Sequence, residues 1–200
     1  MREPKELLVA TRNAKKLAEI KDLLKDLKIK VTSLLDYPDL PKIEEDGRTF
    51  TANAIKKAAS IAMVTGKLTM GEDSGLEVKA LGNKPGVYSA RFSGEDATDE
   101  QNNKKLLKLL TGVSLKKRGA RYRCFVALAN KDGLVNVVNG SCSGVISLTP
   151  KGKNGFGYDP LFFIPRFNQT FGELAPTIKA TMSHRAHALK KFRTILQKYF

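Results

Sequence analysis

The segment from Thr69 to Val78, TMGEDSGLEV, limits the possible folds more than any other part of the chain. Leu68, Met70, Leu76 and Val78 mark it as a buried strand, yet Glu72 and Asp73 interrupt it. A carboxylate buried without a partner is costly. The conflict is relieved if the strand end opens onto a ligand crevice, where open α/β sheets place their binding groups. The same chain carries 35 Lys and Arg against 20 Asp and Glu, a formal net charge of +15. Such a field concentrates anions near the protein, whether nucleotides, nucleic acid or anionic lipid, without choosing among them.

Strand and helix patterns alternate around this segment. Glu6 to Thr11 reads as a short apolar strand, and Leu17, Ile20, Leu24 and Leu27 recur at helical spacing behind Asn13. Val31 to Leu35 predicts a second strand, followed by a polar loop broken by Pro38, Pro41 and Gly47. Phe50, Ala54, Ala58, Ile61 and Ala62 predict a helix stopped by Gly66. Farther on, Thr98 is the expected N-cap of a helix with Asp99 and Glu100 in its first turn and Gly112 at its end. Arg121 to Ala129 and Leu134 to Leu148 predict antiparallel strands joined through Asp132 and Gly133. A glycine-rich stretch, a short LFFI strand and a last helix complete the pattern, with Ser183 as the cap and Leu189, Phe192, Ile195 and Leu196 facing inward. The expected fold class is therefore α/β, a mixed central sheet with flanking helices. At 200 residues the chain suits one domain over 1–200, with two lobes around a substrate cleft.

Only Leu7 to Ala10 runs apolar near the start, too short for the core of a signal peptide. No segment approaches the roughly 20 apolar residues of a spanning helix, so a cytoplasmic protein without a membrane partner is expected. Cys124 and Cys142 lack a CxxC spacing and a neighbouring His, and are expected to be buried, inert thiols.

Four groups of residues could carry chemistry. VATRNAKK, residues 9–16, offers helix N-terminal N–H groups, Thr11, Asn13 and lysines to an anion, or simply an N-cap followed by a solvated lysine face. It has no P-loop glycines, and GxGxxG is absent from the chain. Glu44, Glu45 and Asp46 precede one helix, while Glu72 and Asp73 are expected at the end of a strand; acids from two segments can share a hard cation such as magnesium, or the loop acids are merely solvated. GFGYDP, residues 155–160, presents Phe156 and Tyr158 for stacking and Asp159 as an acceptor for base N–H groups, or is a turn with its aromatics in the core. Lys179, His184 and Arg185 cluster at the expected start of the last helix, with His187 three residues beyond His184 and read as a surface or capping histidine.

Taken in order, ATRNAKKLAEI, EEDGRTFTANAIKKA, EDSGLEV, PGVYSARFSG, GFGYDPLFFIP and SHRAHAL resemble the inosine triphosphate pyrophosphatase family, also called Ham1-like, from the first strand to the last helix. The resemblance implies magnesium-dependent hydrolysis of ITP, dITP and XTP to the monophosphate and pyrophosphate, by a homodimer that needs no stable nucleic-acid partner. It makes Asp73 the catalytic base and a metal ligand, and Glu45 the second metal carboxylate. Thr11, Arg12, Asn13, Ala14, Lys15 and Lys16 become the phosphate-binding segment, Lys57 a neutralising cation and Ser74 a substrate contact. Phe156, Gly157, Tyr158 and Asp159 become the base pocket, with Lys179, His184 and Arg185 as further substrate contacts. Glu72 then supports the site electrostatically. Hypoxanthine and xanthine present a carbonyl where adenine presents an amino group, so donors from His184 and Arg185 would accept the first two and reject the third. Asp46 stands where the family often has Thr, and Tyr158 where its aromatic varies; neither removes a proposed ligand. One rival is a pyrophosphatase for other modified nucleotides. A second, a basic nucleic-acid-binding module, explains the charge but not the acids.

Overall fold

The computed structural model describes residues 5–199, so the ends of the expected 1–200 domain lie outside the described residues. The chain runs β1 (Glu6–Val9), α1 (Ala14–Leu24), β2 (Lys30–Ser33), α2 (Phe50–Thr65), β3 (Thr69–Val78), α3 (Asp99–Leu109), β4 (Gly119–Asn130), β5 (Gly133–Ile146), β6 (Phe162–Ile164), β7 (Gln169–Thr170), α4 (Pro176–Met182) and α5 (His184–Leu196). The strands form one seven-stranded sheet in the order β2-β1-β3-β4-β5-β6-β7. β1 pairs in parallel with β2, Glu6 opposite Lys30, and with β3, Val9 opposite Met70. β6 is antiparallel to both β5 and β7. β4 and β5 are neighbours joined only by Lys131 and Asp132, a connection that antiparallel strands can make and parallel ones cannot. The sheet is thus mixed, as the alternating and hairpin patterns require.

The element ends differ from expectation for local reasons. β1 stops at Val9 because the chain turns there, with the Thr11 N–H donating to the Val9 carbonyl at 2.7 Å. α4 was not legible as a helix: Pro176 looks like a breaker, but at the first helical position its missing N–H costs nothing. Ser183, expected to cap the last helix, stands directly before α5 and also closes α4, its N–H donating to the Lys179 carbonyl at 2.9 Å.

By contact density the chain divides into two compact units, one of residues 5–73, 124–140 and 185–199, the other of 74–123 and 141–184. In the first unit the alternation of β3 decides what each residue meets. Met70 joins Leu17, Ile20 and Leu24 of α1 and Leu189 and Phe192 of α5 in one apolar cluster. Gly71 faces the other way, onto α2, where Ala54, Ala58 and Ala62 pack with Ala127 and Ala129 of β4. A Cβ on Gly71 would lie 2.1 Å from the Ala54 carbonyl oxygen and 2.6 Å from the Ala58 nitrogen, so only glycine admits α2 at this distance. α2 itself starts at Thr49, whose hydroxyl accepts from the Ala52 N–H, and stops at Gly66 with φ +68°.

In the second unit, Leu76 and Val78 of β3 pack with Leu106 and Leu110 of α3 and with Tyr122, Phe162 and Phe171. α3 begins with a reciprocal capping box, the Thr98 hydroxyl accepting from the Gln101 N–H and the Gln101 side chain accepting from the Thr98 N–H. Thr98→Ala should lower stability by about 1 kcal/mol, seen as a lower urea midpoint at unchanged slope. An unmoved midpoint would show that the cap contributes nothing. Cys124 and Cys142 are both buried and unbridged. No helix among the described residues is long and apolar enough to cross a membrane.

Candidate active site

β3 carries its two acids to opposite faces, because successive strand residues point opposite ways. Asp73 shares the α2 face with Gly71. On that helix Asn53 and Lys57 lie one turn apart and both reach it: the Asn53 amide donates to Asp73 Oδ2 at 3.1 Å, and the Lys57 ammonium sits 3.2 Å from Oδ1. The same ammonium lies 3.0 Å from Glu45 Oε2, so the loop before α2 brings a second carboxylate to the same cation. Asp73 and Lys57 are only 4% and 5% exposed.

These charges set one another's protonation. Burial pushes the Asp73 carboxyl above the usual aspartate value; the Lys57 and Lys16 charges offset this only in part, and the Glu45 carboxylate adds to it. Burial also works against ionised Glu45, but Lys57 and Lys16 outweigh it and hold that carboxyl below the usual glutamate value. Burial disfavours the Lys57 charge as well, yet Asp73 and Glu45 hold it above the ordinary lysine value. Neighbouring carboxyls driven apart in this way leave one readily ionised and the other more basic.

The pair also fits a hard divalent cation. Magnesium takes one or two carboxylate oxygens and completes its shell with water and substrate phosphates. Glu45 and Asp73 supply oxygen donors without a competing imidazole or thiolate. Among the described residues no group of three His, Cys, Asp or Glu has metal-binding geometry, so an all-protein cage is not on offer there.

Glu72 points to the α1 and α5 face and has different company. Its carboxylate receives the Arg185 guanidinium at 3.3 Å on both oxygens, with Lys16 at 3.7 Å. Arg185 also pairs with Glu19 of α1 and is 1% exposed. In the segment that leads into α1, the Asn13 side chain accepts from the Lys16 N–H at 3.0 Å, and the Thr11 hydroxyl accepts from the Asn13 N–H. Ala14 and Lys15 are exposed in the first turn. Arg12 reaches back to the loop after β2, donating to the Leu34 and Leu40 carbonyls at 3.2 and 2.7 Å.

In the second unit Asp159 is the hub. Its Oδ2 accepts from the Lys179 ammonium at 2.6 Å and the Phe156 N–H at 2.9 Å, and its Oδ1 from the Tyr122 hydroxyl at 3.3 Å. Lys179 also lies over the Phe156 ring at 5.2 Å. The His184 ring stacks on Tyr122, centroids 4.5 Å apart and planes 8° from parallel. The turn is held from α3, Gly157 donating to Asp99 and accepting from Asn103, each at 2.9 Å. The Tyr158 hydroxyl donates to the Ser89 carbonyl at 2.8 Å, which places its ring in the core.

Several sequence expectations change accordingly. Lys179, His184 and Arg185 do not share one helix: α4 ends at Met182 and α5 starts at His184, and the three meet Asp159, Tyr122 and Glu72 respectively. Arg185 is engaged with acids where the sequence had it reading a base, and Asp159 accepts from protein donors on both oxygens. Ser74 follows Asp73 on β3, half-buried. Sequence reasoning missed Asn53, Glu19 and Tyr122. Asn53 was findable four residues before Lys57, and Glu19 three after Lys16, each on one helical face. Nothing local marks Tyr122.

A model of the Ham1 family matches residues 7–195 of the chain. A protein named dITP/XTP pyrophosphatase from Desulforamulus reducens is 50% identical over 194 residues, covering 97% of this chain and 96% of that protein. One of the same name from Geobacter sulfurreducens is 50% identical over 183 residues, 92% of each. The structure of a HAM1 protein from Coxiella burnetii aligns with a TM-score of 0.87 at 40% identity, over 97% of this chain and 99% of that one. The Staphylococcus aureus Ham1 protein gives 0.86 at 36% identity, over 98% and 100%.

Proposed function

Since the chain belongs to the Ham1 family, we propose that it hydrolyses non-standard purine nucleoside triphosphates, ITP, dITP and XTP, between the α and β phosphates. The products are the monophosphate and pyrophosphate, and the reaction clears deaminated purines from the nucleotide pool. The observation that carries this reading is the convergence of Asp73 and Glu45 on Lys57 at the face of β3.

In this mechanism Asp73, made more basic by burial and by its acidic neighbour, orients the attacking water and takes its proton. Glu45 and Asp73 would hold magnesium, which when bound polarises the phosphoryl oxygens and offsets the charge of the departing pyrophosphate. Lys57, held in its charged form, faces the polyphosphate's negative charge alongside the lysines and backbone N–H groups of residues 11–16. Positioning and electrostatics of this kind do most of the work in phosphoryl transfer. On the base side, Phe156 offers a ring face, and His184, held flat against Tyr122, offers a donor to the purine carbonyl. Arg185 supports Glu72 instead of reading the base. The same family premise carries the expectations of a homodimer in the cytoplasm.

The test is a product analysis with ITP, XTP, dITP, ATP, GTP and dTTP in the presence of magnesium. Monophosphate and pyrophosphate should appear, fastest from the first three. Orthophosphate release, or equal rates on ATP and ITP, would overturn the proposal.

A further inference from the structure

We propose that Asn53 is a positioning residue that locks the loop bearing Glu45 to the Asp73 carboxylate, so that the two acids are presented to the metal and triphosphate as one preset pair. The proposal rests on the roles given above to Asp73 and Glu45.

Asn53 is 1% exposed and bridges two elements that the backbone alone does not join. Its Oδ1 accepts from the Gly47 N–H at 2.8 Å, two residues beyond Glu45, and its Nδ2 donates to Asp73 Oδ2 at 3.1 Å. The orientation of the amide follows from its partners: a backbone N–H can only donate, so the oxygen must face Gly47 and the nitrogen must face the carboxylate. Gly47 leaves no slack, since a Cβ there would lie 2.4 Å from Oδ1.

Lys57 cannot replace this contact. It fixes charge at Asp73 Oδ1 but, as a flexible point cation, imposes little direction. With Asn53 on Oδ2, both oxygens are occupied and the carboxylate plane is set. The loop is likewise held on both sides of Glu45, by Arg12 at the Leu34 and Leu40 carbonyls and by Asn53 at Gly47. Outer partners of this kind, which orient ligating carboxylates, typically contribute about 10–100-fold to metal affinity or activity.

The experiment compares Asn53→Ala, Gly47→Ala and the double variant with the parent protein. The readouts are kcat and KM for ITP with magnesium, Mn2+ binding to the nucleotide-free protein by EPR, and the melting temperature. Each single variant should lower kcat and weaken Mn2+ binding by about tenfold or more, with KM for ITP near the parental value. The double should lose no more than the worse single, because both break one brace. Parental kcat and Mn2+ affinity with only a lowered melting temperature would reduce Asn53 to a structural residue, and losses that multiply in the double would show two unconnected effects. If Asn53→Ala does not fold, Gly47→Ala decides on the same readouts. Asp73→Asn, measured alongside, separates the two proposals. If it keeps parental turnover and Mn2+ affinity, the roles given to Asp73 fall; if it loses both while Asn53→Ala and Gly47→Ala keep both, only the brace falls.

Discussion

Asp73→Asn should lower kcat for ITP by about a thousandfold while the protein stays folded with a melting temperature close to the parental one. The amide has the shape of the carboxylate but cannot take the water's proton and binds a cation poorly. Stability should hold because two effects oppose each other. Burial already disfavours the ionised carboxyl, so removing the charge relieves a cost, while the attraction to Lys57 is lost and Glu45 remains as its partner. The pH profile adds a second check. Because the fold raises the Asp73 carboxyl above the usual aspartate value, the acid limb of kcat/KM for the parent should fall at a correspondingly higher pH. Residual activity in Asp73→Asn should lack that limb. An unfolded variant by circular dichroism would make Asp73 a structural residue, and a fully active one would end its role as base.

Arg185→Met should act on stability more than on chemistry. The guanidinium is buried against Glu72, itself 4% exposed, and removing one member of a buried pair strands the other charge. The expected loss is about 3–5 kcal/mol, read from urea denaturation. Pairing the change with Glu72→Leu should recover most of it, because exchanging both ions for apolar groups of similar bulk removes the stranded charge. If the single variant were fully stable but raised KM for ITP, Arg185 would be a base contact after all, as its sequence context first suggested.

How far the sequence carried the fold can be judged from such residues. The parallel start and the hairpin in the second half were legible because they rest on local period: Leu17, Ile20 and Leu24 for α1, and Asp132-Gly133 for the β4 to β5 turn. α4 was hidden by Pro176, a residue with two opposite meanings that only position decides. The acids of β3 were legible as a pair out of place, but not as two separate assignments. Glu72 meets Arg185 at a separation of 113 residues, and Arg185 meets Glu19 at 166. No window of sequence spans that, so Arg185 looked like a ligand at the head of a helix. Asp73, by contrast, finds Asn53 and Lys57 at 20 and 16 residues, in a strand that follows directly on the helix carrying them.

The alternation that sends Glu72 to one face of β3 and Asp73 to the other also bears on how the chain finds its register. A one-residue slip of that strand that set Glu72 in the place of Asp73, toward Lys57, would turn Asp73 to the opposite face and drive Met70 into the narrow space that Gly71 leaves for α2. The misaligned pairing would be rejected by volume before any charge was tested. Gly71 thus guards the strand's reading frame, and a chain that passes this steric check while folding has already placed Asp73 on the side where the helix lysine waits.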